Sequence, residues 1–215
     1  MIFAETVAQL ERALRADLPG AAAQARLSPV PKRQWPEGFN PARIRHAAGL
    51  LLVFPKTTRK ADEAHIVLTV RSDLVRHGGQ VSLPGGVIEA GETFEQAALR
   101  EAHEEVALPV AGVRVLGALT SLDIPVSGFR LHPIVAVSQV HLPLMPADGE
   151  VATILEIAVD DLFDPGRFVW TEHERDGIVL SIPAFQVAGH EIWGATAMVL
   201  AEFLTLLGWA GGQKH

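Results

Sequence analysis

The stretch from Ser82 to Leu108, SLPGGVIEAGETFEQAALREAHEEVAL, constrains this chain more than any other part of it. It predicts a short strand over Gln80–Leu83, a turn at Pro84-Gly85-Gly86, a loop closing at Gly91 and a helix from about Thr93 to Val106. Thr93 followed three residues later by Gln96 is a capping-box pattern, Ala97, Ala98, Leu99 and Ala102 favour helix, and Pro109 ends the run. In that helix Glu101, Glu104 and Glu105 stand at i, i+3 and i+4, so three carboxylates share one stripe. Each like-charge pair at that spacing costs about 0.2–0.5 kcal/mol, and the face needs screening by solvent or a bound cation. Oxygen ligands of this kind suit Mg²⁺ or Mn²⁺, and the chain has no cysteine from which to build a softer metal site.

The wider spacing is more specific than the carboxylates alone. Gly86 is followed after five residues by Glu92, then after seven by Arg100-Glu101, and then by Ala102, His103, Glu104-Glu105, Val106, Ala107 and Leu108. This resembles the Nudix box, G-x5-E-x7-R-E-U-x-E-E-x-G-U with U apolar, at every charged position. The one departure is Ala107, where the box has glycine. An alanine held left-handed at a helix end would be strained by about 1 kcal/mol, so either the helix ends differently here or the strain is tolerated.

The resemblance implies a hydrolase of phosphoanhydride bonds in which Glu101, Glu104 and Glu105 hold the metal and one of them serves as base for water. It further implies that Arg100 and Glu92 pair across the junction of loop and helix. Gly85 and Gly86 would let a phosphate or metal approach the backbone, which adds Gly86 to the metal set. The implied fold is α/β, a Nudix-type α/β/α sandwich with a mixed sheet.

Residues Phe3 to Leu18 place Val7, Leu10 and Leu14 on one stripe, predicting a helix that stops near Pro19-Gly20. Pro29, Pro31, Pro36 and Pro41 then mark an extended segment. Residues 1–42 read as an extension packed on one core of residues 43–210. The runs HAAGLLLVF and AHIVLTVRS, separated by Lys56–Glu63, predict a hairpin whose unalternating apolar residues imply burial on both faces. VRVLGALTSLD, RLHPIVAVSQV and Val151–Val159 are further strands, with a helical turn at Asp160–Phe163. GIVLSIPAFQVAGHEIWG predicts a hairpin turning at Ala188-Gly189-His190. Ala195–Leu207 predicts an apolar helix with Thr196 as N-cap and Gly208 past its end.

A formal charge of −7 argues against non-specific nucleic-acid binding, which requires a basic face. The N-terminus lacks the layout of a signal peptide, and no apolar run approaches the roughly 18 residues of a membrane span. The expectation is a cytoplasmic protein with a small-molecule nucleotide substrate and no nucleic-acid or membrane partner. The acidic charge and apolar N-terminal helix permit a homodimer.

Substrate choice must come from the flanks. Arg71, Arg76 and His77 cluster before the glycine turn, placing cationic side chains where phosphates would sit. Arg71-Ser72, His77, Gly79-Gln80-Val81 and Pro84-Gly85-Gly86 are similar to R-S-x-x-L-R-x-H-x-G-(Q/E)-V leading into F-P-G-G, the signature of the coenzyme A pyrophosphatase branch of the Nudix family. The segment between Ser72 and His77 is one residue short, and Leu83 replaces the phenylalanine. IWGATAMVLAEFL from Ile192 resembles the entry to that branch's last helix, with Trp193-Gly194 read as structural and the indole closing the core. The branch implies cleavage of coenzyme A or its derivatives into 3′,5′-ADP and a 4′-phosphopantetheine product. Glu150 is the candidate for an additional metal-binding carboxylate from a later loop.

Two other branches are weighed by single residues. Dinucleoside polyphosphate hydrolases are associated with a tyrosine beyond the box, and this chain has no tyrosine. The ADP-ribose branch is associated with a proline there, and Pro125, 17 residues past Leu108, is a near match that keeps this alternative open. A catalytically silent nucleotide-binding module is the remaining reading.

Overall fold

In the computed structural model, which describes residues 1–57, 61–73, 78–147, 149–175 and 177–211, the run LLLVF lies in a central strand, β1 (Arg45–Thr57). Strand β1 pairs in parallel with β7 (Phe129–Ser138), from Arg45 opposite Phe129 to Val53 opposite Val137. Ala48, Leu50, Leu52 and Phe54 pack in one cluster with Ala97, Ala98, Ala102 and Val106 of helix α3 (Phe94–Val106). Leu51 and Val53 belong to the opposite cluster, with Phe3, Val7 and Leu10 of α1 (Phe3–Ala13) and Leu200 and Leu204 of α5 (Gly194–Leu206). Successive side chains of a strand point to opposite faces, so helices on both sides demand an apolar residue at every position.

The other edge of β1 changes partner along its length. Ala47–Gly49 pair with β4 (Gly85–Val87), whereas Val53–Thr57 pair with β2 (Asp62–Arg71), both antiparallel. Strand β2 also pairs with β3 (Val81–Ser82) and β8 (Val151–Ala158), while β5 (Val113–Ala118) and β6 (Leu122–Ile124) pair with β7. The result is a mixed eight-stranded sheet between helices, the α/β architecture expected. A smaller antiparallel sheet is built from β9 (Phe168–Arg175), β10 (Ile178–Val187) and β11 (His190–Ile192), and short helices α2 (Gly20–Gln24) and α4 (Val159–Phe163) complete the framework. No helix among the described residues is long and apolar enough to cross a membrane.

Several local expectations are corrected. Gly85-Gly86 forms strand β4 rather than a turn, because the missing side chains let this segment lie against β1. VRVLGALTSLD is two strands, broken at Leu119–Ser121. Helix α1 stops at Ala13, short of the expected end near Pro19-Gly20, and a short helix, α2, follows before the proline-marked segment. Strand β9, FVWTEHER, was unforeseen: its charged residues hide the strand pattern. Thr196 does not cap α5, whose N-cap is Trp193; its hydroxyl donates to the Val81 carbonyl at 2.9 Å and ties the helix to β3.

A buried carboxylate fixes the N-terminal residues to the core. Glu202 of α5 accepts hydrogen bonds from the Gly20 and Thr120 amides (both 3.2 Å), the Thr120 hydroxyl (2.7 Å) and Gln24 Nε2 (2.9 Å). Burying a charge is tolerated where its oxygens are satisfied in this way. The loop entering β6 is thereby held beside α2 and α5.

Helix α3 ends as the glycine of the box would have it end, with Ala107 left-handed at φ 52°, ψ 35°. The strain is tolerated rather than avoided. Ala107→Gly is therefore expected to raise stability by about 0.5–1 kcal/mol, seen as a melting temperature about 1–4 °C higher, with turnover unchanged. A lower melting temperature would show that the backbone here is unstrained.

Candidate active site

Local sequence sets the glutamate helix before any tertiary contact acts. The Thr93 hydroxyl accepts from the Gln96 backbone N–H at 3.2 Å and the Gln96 side-chain oxygen Oε1 accepts from the Thr93 backbone N–H at 2.9 Å, closing the capping box. Ala97, Ala98, Ala102 and Val106 then bury one face against the sheet. The acidic stripe is thereby turned toward β4.

The three carboxylates end in different surroundings. Glu105 is buried, 4 % exposed, and its Oε2 accepts from the Gly85 amide at 3.1 Å. The Glu101 and Glu104 side chains are 18 % and 52 % exposed. A Cβ on Gly86 would lie 2.5 Å from the Glu101 carboxylate, so this glycine is the floor on which Glu101 rests. A Cβ on Gly85 would run into the Ala48 carbonyl and lie 2.6 Å from Gly49 Cα. The crowding at both glycines thus comes from the protein itself.

Arg100 organises the charges. Its Nε and Nη2 donate to the two Glu92 oxygens at 2.7 and 3.0 Å, Nη1 donates to Glu101 Oε1 at 2.9 Å and Glu104 Oε2 at 3.1 Å, and Nη2 also reaches the Val87 carbonyl at 3.0 Å. Those five bonds match the five N–H groups of a guanidinium. Hydrogen bonds from Arg100 hold the Glu92 carboxyl below its ordinary range. Burial pushes the Glu101 carboxyl up; Arg100 opposes this, and the neighbouring Glu104 and Glu150 charges add to it.

Lysine keeps the charge but supplies neither the fork nor the reach to all three acids. Arg100→Lys is expected to cost about 2–4 kcal/mol of stability and at least about tenfold in turnover, read by denaturant melts and steady-state rates. Wild-type values for both would remove the guanidinium from its organising position.

The donor set suits a hard cation. All of the oxygens are carboxylate and they share one helix face beside β4; burial is the main cause of the upward shift at Glu101, and the Glu104 and Glu150 charges add to it. Among the described residues no three carboxylates or imidazoles converge on one point; between Glu101 and Glu104 lies Arg100 Nη1. Glu150, just before β8, is close enough to influence Glu101, and its Oε2 pairs with Arg71 Nη2 at 3.5 Å. Its backbone carbonyl accepts from the Ser72 amide at 2.7 Å, joining the Arg71-Ser72 corner to this loop. Arg76 and His77 lie outside the described residues. His103 is exposed on the helix, its Nδ1 2.9 Å from the Leu108 carbonyl.

A cavity of about 580 Å³ opens where β1 exchanges β4 for β2, and Gly85, Gly86 and Arg71 are part of its wall. The sequence did not disclose most of the remainder. Ser28, Pro29, Lys32 and Arg33 come from the N-terminal extension, Asp123 to Ser127 from the β6–β7 connection, and His173, Leu180 and Ile182 from the smaller sheet. Trp193, expected to close the core, lines this cavity half-buried, its ring centroid 4.9 Å from that of His173. The W-G pair before the last helix and Pro125 beyond the box were the sequence signals for these.

Comparison with known proteins identifies the family and the fold. The family model for the NUDIX domain matches residues 44–174. The chain is 35 % identical over 161 residues to the uncharacterized Nudix hydrolase NudL of Yersinia enterocolitica, covering 74 % of this chain and 80 % of that protein. It is 37 % identical over 143 residues to the protein of the same name from Pectobacterium atrosepticum, covering 64 % and 72 %. Among solved structures, the fold is similar to a Nudix hydrolase from M. smegmatis, RenU, with a TM-score of 0.56 and 21 % identity over 88 % of this chain and 98 % of that one. With the box on a capped helix packed behind Gly85 and Gly86, a family model that matches residues 44–174 and relatives of this kind, the chain belongs to the Nudix hydrolase family.

Proposed function

We propose that this Nudix hydrolase is a Mg²⁺- or Mn²⁺-dependent pyrophosphatase of coenzyme A or its derivatives, releasing 3′,5′-ADP and 4′-phosphopantetheine. The observation that carries the reading is the meeting of the glutamate face with a largely apolar cavity of about 580 Å³ through Gly85 and Gly86. A diphosphate laid against β4 leaves room for an extended, partly apolar substrate beyond it. Similarity of Arg71-Ser72, Gly79-Gln80-Val81 and Trp193-Gly194 to the coenzyme A branch supports the same substrate.

Glu101, Glu104 and Glu105 would hold the metal, with Glu150 and the Gly86 backbone as further oxygen donors. When bound, such a cation neutralises diphosphate oxygens and lowers the pKa of water. The protein's own groups do the rest. Arg100 keeps Glu92, Glu101 and Glu104 oriented, the Gly85 amide fixes Glu105, and a carboxylate of the stripe takes the proton from the attacking water. Arg71, with Arg76 and His77 in the same segment, would meet substrate phosphates.

One specific observation favours a second reading, an ADP-ribose pyrophosphatase: Pro125, the residue associated with that branch, lines the cavity. Incubation with coenzyme A, acetyl-coenzyme A, coenzyme A disulfide and ADP-ribose in Mg²⁺ or Mn²⁺, with products separated by chromatography, tests both. The expected result is 3′,5′-ADP from the coenzyme A compounds at a higher kcat/KM than any product from ADP-ribose. The reverse order would assign the ADP-ribose activity. No turnover of any diphosphate would make the domain a nucleotide-binding module.

A further inference from the structure

The cavity is walled in part by Ser28, Pro29, Lys32 and Arg33, which lie in a segment, residues 28–35, outside the span matched by the family model. This segment is anchored twice. Val30 exchanges two backbone hydrogen bonds with Ser181 of β10, both 2.8 Å. Trp35 stacks on Phe39 with centroids 4.4 Å apart and donates from Nε1 to Asp123 Oδ2 at 3.4 Å. Asp123 is itself gripped by Arg130 through contacts of 2.6 and 3.1 Å. One anchor is on the smaller sheet and the other on the larger, and between them Lys32 and Arg33 face the cavity.

We propose that Lys32 and Arg33 form a second anion subsite, which binds a phosphomonoester carried by the substrate beyond the scissile diphosphate. The proposal rests on the coenzyme A reading above and deepens it. A phosphomonoester carries about −1.5 to −2 charges at pH 7, and two adjacent cations, one of them a guanidinium fork, suit it better than a bridging diphosphate already matched to metal. Among the other charged groups of the described lining, Asp123 is bound by Arg130 and Trp35, Arg71 pairs with Glu150, His173 lies 2.9 Å from Glu191, and Glu174 stands on the β9 wall. Leu83, Leu131, Ile182 and Met198 supply apolar surface in the same cavity, which suits the uncharged body of a nucleotide.

The test compares coenzyme A with 3′-dephospho-coenzyme A on the full chain in Mg²⁺, for wild type, Lys32→Ala and the double variant Lys32→Ala/Arg33→Ala. Wild type is expected to favour coenzyme A by at least about tenfold in kcat/KM, and the double variant to reduce that ratio at least about fivefold, through KM rather than kcat. Should the double variant fail to fold, exposed Lys32→Glu alone is expected to lower the ratio in the same direction. An unchanged ratio in the folded variants, or no wild-type preference, would overturn the subsite while leaving coenzyme A cleavage standing. Wild type that cleaves neither compound would remove the coenzyme A reading, and this subsite with it.

Discussion

Glutamine in place of Glu104 is expected to lower kcat at least about a hundredfold, which corresponds to about 2.7 kcal/mol of lost transition-state stabilisation. The side chain is half-exposed at 52 % and its neutral oxygen still accepts from Arg100 Nη1, so the fold and the Arg100 contacts should survive. What disappears is one negative charge from a set proposed to hold a divalent cation against a diphosphate. The metal concentration needed for half-maximal rate should rise in parallel, since ligand charge sets the affinity of hard cations. Steady-state rates titrated with Mg²⁺ and Mn²⁺, alongside circular dichroism, separate the two effects. A near-normal rate at ordinary metal concentration would remove Glu104 from the ligand set.

The second large effect comes from a pair of neighbouring glycines whose alanine variants should fail in different ways. Gly86→Ala puts a methyl group 2.5 Å from the Glu101 carboxylate, the movable end of a side chain. The fold should persist while Glu101 is displaced, and a shift of about 1 Å in such a group can cost about a hundredfold in rate. Gly85→Ala instead drives a methyl group into the Ala48 carbonyl and the Gly49 backbone, which have nowhere to go without parting β4 from β1. That variant is expected to lose about 3 kcal/mol or more of stability. Denaturant unfolding and turnover measured on both variants give the contrast. Equal losses of stability at the two positions would mean that Glu101 is locked in place, and full activity in Gly86→Ala would mean that its position is immaterial.

The glutamate helix was legible because everything that forms it is local. Thr93 and Gln96 cap each other, the alanines select the buried face, and spacing alone puts Glu101, Glu104 and Glu105 on one stripe. The pairing of Arg100 with Glu92 follows from residues eight apart and was expected from the box. Burial of β1 on both faces was likewise written in its unbroken apolar run.

Where the sequence failed, the deciding forces were long-range. Strand β9 has charged residues that no local pattern marks as a sheet, and it is defined by pairing with β10. Gly85-Gly86 reads as a turn until β1 is present to receive it. Glu202 is an ordinary helical glutamate in sequence, yet in space it gathers Gly20, Gln24 and Thr120, residues 182, 178 and 82 positions away.

The sequence by itself therefore determined the reaction class, because the chemistry depends on charges at fixed intervals along one short helix. Only the tertiary structure decided the shape and lining of the cavity. Lys32, Asp123 and His173 are common residue types at unremarkable spacings, and nothing but the packing of two sheets and the N-terminal extension brings them around one space. Interval along the chain is preserved by helical geometry; proximity across it exists only once the apolar faces have closed.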